Sequence, residues 1–235
     1  MWLAARRLPL RAVRQAAVRA KGRKMPAFAG AVIPWREAWL HPRRAVRDAL
    51  DRKSTLSILL LPVASGVVQS LVQAASSSLG ARGASAEWIL VMGFGVGALW
   101  GLLQVHLATA LLYPFATAGG VRVSFLHVRT AVAVSSAPLA TALVFWVTAT
   151  LSLGPDLYVN PAAVVSTLPP GELMEVGLLY LATGTCMVWS SVILLFTLAE
   201  VQRSSLWRAL GTVGASVLAL ALVVGVVAGL AILAF

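Results

Sequence analysis

The sequence predicts an all-α integral membrane protein, with five transmembrane helices preceded by a basic amphipathic interfacial helix. Three observations carry that expectation. Five apolar runs each reach the ~20 residues a helix needs to cross about 30 Å of hydrocarbon. The chain is 59% hydrophobic and only 11% charged, with a mean hydropathy of +0.86, a composition that excludes a soluble domain. Its charge is crowded at one end: residues 1–53 carry fourteen Lys and Arg against three Asp and Glu, whereas the rest carry five against five. All of the net +11 therefore precedes the first run.

Residues 1–32 read as a basic, disordered tail. Up to Lys24 there are eight basic residues, no acidic one and many alanines, a pattern shared by polybasic tails and mitochondrial transit peptides. A secretory signal fits poorly, because Arg11 and Arg14 interrupt any apolar core. A third reading makes Met25 the true start, which lowers the net charge to +3.

Residues 33–53 form the amphipathic segment. At 3.6 residues per turn, Trp35, Ala38, Trp39, Pro42, Val46, Ala49 and Leu50 share one side, and Arg36, Arg43, Arg44, Arg47, Asp48 and Asp51 the other. Indole rings favour the headgroup level of a bilayer, and arginine can lay its stem over apolar surface while its head reaches phosphate. The segment is expected to lie flat on a membrane face, with Trp35, Trp39, Arg43, Arg44 and Arg47 touching anionic lipid or a protein partner. Pro42 disfavours helix at His41 and suits the first turn of a new one, so a short Trp-bearing turn should precede a helix over 42–52.

Residues 54–235 make up the membrane domain, with runs at 55–75, 88–115, 130–153, 176–199 and 209–234. The second connection carries Arg122 and Arg129 and no acid, and the fourth carries Arg203 and Arg208 with one Glu. The first balances Arg82 with Glu87, and the third holds only Asp156, Glu172 and Glu175. Because cytoplasmic loops are enriched in Lys and Arg, the N-terminus and the second and fourth connections are expected in the cytoplasm, and the C-terminus outside. Gly119 and Gly120 supply a flexible break before the third run. That run contains Ser135, Ser136 and Pro138, which predict a kinked span, with a re-entrant pair as the other arrangement. In the third connection Asn160 can cap a short helix starting at Pro161.

Within the runs, glycines and polar residues are the candidates for function. Gly93, Gly97 and Gly101 in the second run, and Gly225 and Gly229 in the fifth, are spaced so that helix backbones can approach closely, inside one chain or across a homo-oligomer seam. A phosphate-binding reading of the second run's glycines fails for want of a preceding strand and a following Lys-Ser/Thr. Gln69, Gln73, Gln104 and His106 are expected to hydrogen-bond between helices; the competing reading is the path of a small-solute or lipid permease near Gln69, Gln104 and His106. No Asp or Glu stands in mid-run, which weighs against an ion-coupled transporter.

Enzyme signatures are missing. His41, His106 and His127 make no HExxH-like pair, no serine sits in a GxSxG elbow, and Asp156 and Glu172 lack a partner base. The single cysteine, Cys186, rules out a disulfide framework or a cysteine metal cluster and reads as a small buried hydrophobe. No catalytic residue, cofactor or metal is expected. Nor is nucleic acid, since the basic residues belong to no fold with interleaved exposed aromatics.

Three separated stretches, PWREAWLHPRRAVRDAL, ATAGGVRVSFLHVRTAVAVSSAPLA and LFTLAEVQRSSLWRALGTV, together resemble the bacterial branch of the Yip family, named for Ypt/Rab-interacting eukaryotic members. Their order and the five-span layout match over residues 33–235. The tail departs from the family's pattern and points to Met25 as the start. The resemblance implies a five-span, multi-pass membrane protein; eukaryotic members are associated with vesicle traffic, small GTPases and membrane shaping. This chain lacks the AYDLYGP-like motif of that branch, so Rab binding does not carry over. The expected function is to organise membrane or partner proteins through a basic cytoplasmic face. The expected location is the inner membrane of a bacterium, or an organelle membrane if residues 1–24 are a transit peptide.

Overall fold

The computed structural model describes residues 35–52, 55–118, 120, 122–159 and 169–234. The expected tail with its alternative start at Met25, the flexible Gly119 and the Asn160–Pro161 cap lie outside the described residues, as does the side chain of Trp35. Among the described residues all regular structure is helical. Two short helices, α1 (Trp35–Leu40) and α2 (Pro42–Asp51), precede α3 (Thr55–Ser76), α4 (Ala86–Thr117), α5 (Phe125–Ser135), α6 (Ala137–Leu153), α7 (Pro170–Val201) and α8 (Leu206–Ala234). Five helical units are long and apolar enough to cross a membrane: Ile58–Ser76, Ala86–Thr117, Phe125–Tyr158, Pro170–Val201 and Leu206–Gly229.

Local chemistry explains where these helices begin and end. Ser85 caps α4, its hydroxyl accepting the Trp88 N–H at 3.3 Å, and Ser124 does the same for α5 through the His127 N–H at 3.3 Å. Helix α5 begins earlier than the sequence suggests, so the second connection shrinks to 118–124 and Arg129 sits on the helix. The third of these long units is broken at Ser136, with Pro138 in the first turn of α6. Both Ser135 and Ser136 donate to the Val132 carbonyl, at 2.7 and 3.3 Å, so hydroxyls take up backbone acceptors at the break, as a kinked span requires. Helix α7 closes with left-handed backbone at Arg203 (φ 48°); the Ser204 N–H returns to the Ala199 carbonyl and the Arg203 N–H to that of Glu200. This double return satisfies the last carbonyls of the helix and turns the chain sharply into α8.

Helix α3 is the hub. It packs most extensively on α4 and also meets α5 and α6, while α7 covers α5 and α6. Toward one end the core gathers Val68, Leu71, Trp146, Tyr158 and Leu179; toward the other it gathers Ile58, Leu112, Val128, Leu198 and Ala209. Helix α8 packs mainly on α4 and α7 and leaves most of its apolar surface open.

Candidate functional site: a charged hairpin beside α7

Helices α1 and α2 form a hairpin about His41. The His41 N–H closes α1 on the Glu37 carbonyl at 2.9 Å, and Pro42 opens α2. Ala45, Val46 and Ala49 are fully buried on one face of α2, which packs on α5 and α7. Ala38 of α1 is buried with Leu61, Ala137 and Ala140, and Trp39 packs against the cluster containing Trp146 and Cys186.

The register of the hairpin against α7 follows from three contacts. Arg47 Nε stands 3.5 Å from Glu200 Oε1. The Arg43 guanidinium lies 5.5 Å from the centre of the Phe196 ring. The Trp189 indole N–H donates to the Trp39 carbonyl at 3.4 Å. Arg43 and Arg47 are four residues apart, as are Phe196 and Glu200, so α2 runs alongside the last turns of α7 in the same direction. With a rise of ~1.5 Å per residue, Trp189 lies about 16 Å along α7 from Glu200.

In place of the flat lie expected from the sequence, the apolar face of this segment is therefore covered by protein. Small side chains at positions 38, 45 and 49 let the backbones close in. An amphipathic pattern says that one face is buried, not what buries it. The arginines stay on the outside: Arg43, Arg44 and Arg47 are exposed, and Arg44 Nε is 3.4 Å from Glu37 Oε2, an ion pair without hydrogen-bond alignment. A groove of about 740 Å³ runs along the seam where the hairpin meets α7, lined by Trp39, Leu40 and the three arginines on one wall and Trp189, Val192 and Phe196 on the other.

A second, more polar recess of about 640 Å³ brings Val46, Leu50 and Asp51 of α2 to Arg122, His127, Glu200 and Arg203. The second and fourth connections thus meet the hairpin at one end of the bundle. Nearby, Arg208 donates to the Ala118 carbonyl at 2.6 Å and Gln202 to Thr212 Oγ1 at 3.0 Å, tying the start of α8 to the end of α4 and the turn after α7. At the opposite end the turn Gly80–Arg82 packs on Gly154–Tyr158.

The four polar residues of the apolar runs divide. Gln69 Nε2 donates to Gln104 Oε1 at 2.8 Å, and the Trp100 indole donates to Gln69 Oε1 at 3.4 Å. Both glutamines line a cavity of about 200 Å³ shared with Ser65, Ser135, Ser136 and Ser190. Ser190 Oγ is buried there without a hydrogen-bond partner among the described residues. Gln73 donates instead to Ser77 Oγ in the turn just past the end of its own helix, and His106 Nδ1 sits 2.7 Å from the Leu102 carbonyl on an exposed face. His106 is therefore removed from the path that the permease reading drew through it.

The glycines divide as well. A Cβ on Gly97 would stand 2.6 Å from Val67 Cα, and one on Gly93 2.7 Å from Leu71 Cδ2. Gly101 abuts the Pro62 carbonyl. These three knit α4 onto α3, as close packing through small residues allows. Among the described residues a Cβ on Gly225 or Gly229 would meet nothing within 4 Å, which corrects their assignment to packing against these helices. Gly66, the partner of Gly97 and Gly101, escaped the sequence reading although Pro62, Gly66 and Ser70 recur every four residues and signal a matching face.

Among the described residues no three His, Cys, Asp or Glu side chains come together to hold a metal ion. No protein family, curated protein or solved structure was found to match this chain.

Proposed function

We propose that the chain is a non-enzymatic, multi-pass protein of the Yip type in the cytoplasmic membrane of a bacterium, where it organises lipid or partner proteins through its basic end. The supporting observation is the Arg47–Glu200 ion pair. It joins the first and last of the three stretches that carry the family resemblance, and the middle stretch reaches the same recess through Arg122 and His127. Arg43, Arg44, Arg47, Arg122 and Arg203 stand together at this end, whereas Asp156 belongs to the opposite one. An excess of arginine at one end favours the cytoplasmic side and a negatively charged surface as counter-charge.

The test places the protein in nanodiscs of neutral lipid and offers anionic vesicles in solution. Capture at low salt that fades at high salt, and drops when Arg43, Arg44 and Arg47 are changed to Gln, supports the reading; capture indifferent to both removes it.

A second reading, a permease for a small neutral solute, draws on the cavity at Gln69 and Gln104 with the unpartnered Ser190 hydroxyl. Solute flux into proteoliposomes that is lost in Gln104→Leu and kept in His106→Ala would favour it over the first.

A further inference from the structure

Resting on the membrane reading above, we propose that the groove between the α1–α2 hairpin and α7 is a binding site for one anionic phospholipid, its phosphate held by Arg43 and Arg44 and an acyl chain laid along Trp189 and Val192. The groove is graded along its length. Near Glu200 it is cationic: among the described residues Arg44 pairs with Glu37 and Arg47 with Glu200, which leaves the third arginine of the lining, Arg43, as surplus positive charge. Arg43 has no carboxylate partner among the described residues and rests on the Phe196 ring, a contact that leaves its N–H donors free for an acceptor. Farther along α7 the walls turn apolar, with Trp189, Val192 and the exposed Leu40.

That order of charge and apolar surface matches a phospholipid standing upright in one leaflet. Glu200 ends the fourth crossing, so Trp189, about 16 Å inward along α7, falls at the depth of acyl chains. A soluble protein partner does not reach that depth. A guanidinium one turn inside the boundary is costly unless it pairs or reaches the interface, and a lipid phosphate offers the planar, two-oxygen acceptor that arginine fits. The surplus positive charge selects against a zwitterionic headgroup, whose own ammonium would meet the arginines. The groove's volume of about 740 Å³ falls within the ~300–1,000 Å³ typical of sites for a single small ligand.

Native mass spectrometry of the protein, extracted in mild detergent with phosphatidylglycerol and phosphatidylcholine of equal chain length, tests the site. One phosphatidylglycerol is expected to stay bound per chain, in preference to phosphatidylcholine. The double variant Arg43→Gln, Arg44→Gln should lose it by at least about ten-fold, the scale expected for removing charge-assisted hydrogen bonds. Arg82→Gln, at the other end of the bundle, should keep it. Equal retention of both lipids, retention unchanged in the double variant, or loss in Arg82→Gln to the same degree would overturn the proposal. So would a groove already filled by protein, read as no bound lipid at all. A chain that captures vesicles but keeps no lipid sinks this site and leaves the basic-face reading standing; a chain that keeps lipid but captures no vesicles does the reverse.

Discussion

Arg47 and Glu200, from opposite ends of the sequence, are joined by an ion pair of 3.5 Å that fastens α2 to the end of α7. The arginine side chain is 61% exposed and the glutamate 24%, so the pair belongs with half-solvated contacts, worth about 0.2–1 kcal/mol. Arg47→Ala should leave the five long helices intact and speed amide exchange over 42–51 by up to about five-fold, the rate equivalent of that energy. Exchange measured by mass spectrometry checks this, and the charge-reversed pair Arg47→Glu with Glu200→Arg should restore most of the protection.

The two sets of glycines should respond in opposite directions to the same substitution. Gly97→Ala drives a methyl to within 2.6 Å of Val67 Cα, a clash with backbone that forces α3 and α4 apart and costs about 1–3 kcal/mol. Gly225→Ala meets open space and should be neutral or stabilising by up to about 1 kcal/mol through helix propensity. Unfolding in detergent micelles compares the two.

Deep in the other end, Tyr158 and Thr150 share a hydrogen bond of 2.6 Å while the Thr150 hydroxyl donates to the Trp146 carbonyl at 2.7 Å. Thr150 has one proton to give, so the tyrosine is the donor in the pair. Tyr158→Phe therefore leaves no buried donor stranded and should cost about 0.5–1.5 kcal/mol. Thr150→Val strands the tyrosine hydroxyl and should cost more, about 1–3 kcal/mol. The order of the two variants in thermal unfolding decides the assignment.

Cys186, the chain's single cysteine, is buried beside Leu179 and Trp146. A membrane-permeant maleimide should label it slowly in the folded protein and fully once the protein is unfolded, with labelling and loss of structure showing the same midpoint. Rapid labelling of the native protein would show that α7 does not pack on α6 as described.

The proposed crossing of a membrane by α8 places the turn after α7 and Phe235 on opposite sides of it. A protease site inserted between Ser204 and Ser205 and one fused behind Phe235 should be cut from opposite faces of sealed vesicles. Cleavage of both from one face would refute the crossing by α8.

Much of the fold was legible in the sequence because long apolar runs have few ways to satisfy their backbone other than as helices. The five long helices, the break at Ser136 and the new helix at Pro42 all follow from local chemistry. Close approach through Gly93, Gly97 and Gly101 was readable from spacing alone, while the same spacing at Gly225 and Gly229 finds no partner among the described residues. The candidate site was half legible. Its residue types and its amphipathic pattern pointed to residues 35–52, but the same pattern serves a helix lying on lipid and a helix lying on protein.

By itself, then, the sequence determined the helices, their breaks and the crowding of positive charge before the first of them, since these depend on residues near one another along the chain. Only the tertiary structure decided that the charged hairpin stands beside α7 with Arg43 over Phe196 and Arg47 on Glu200, that Gln69 meets Gln104 while His106 turns away, and that α8 keeps its glycines free. Those outcomes depend on which helix faces which. Periodicity can name a buried face, and only packing of distant segments can name what buries it.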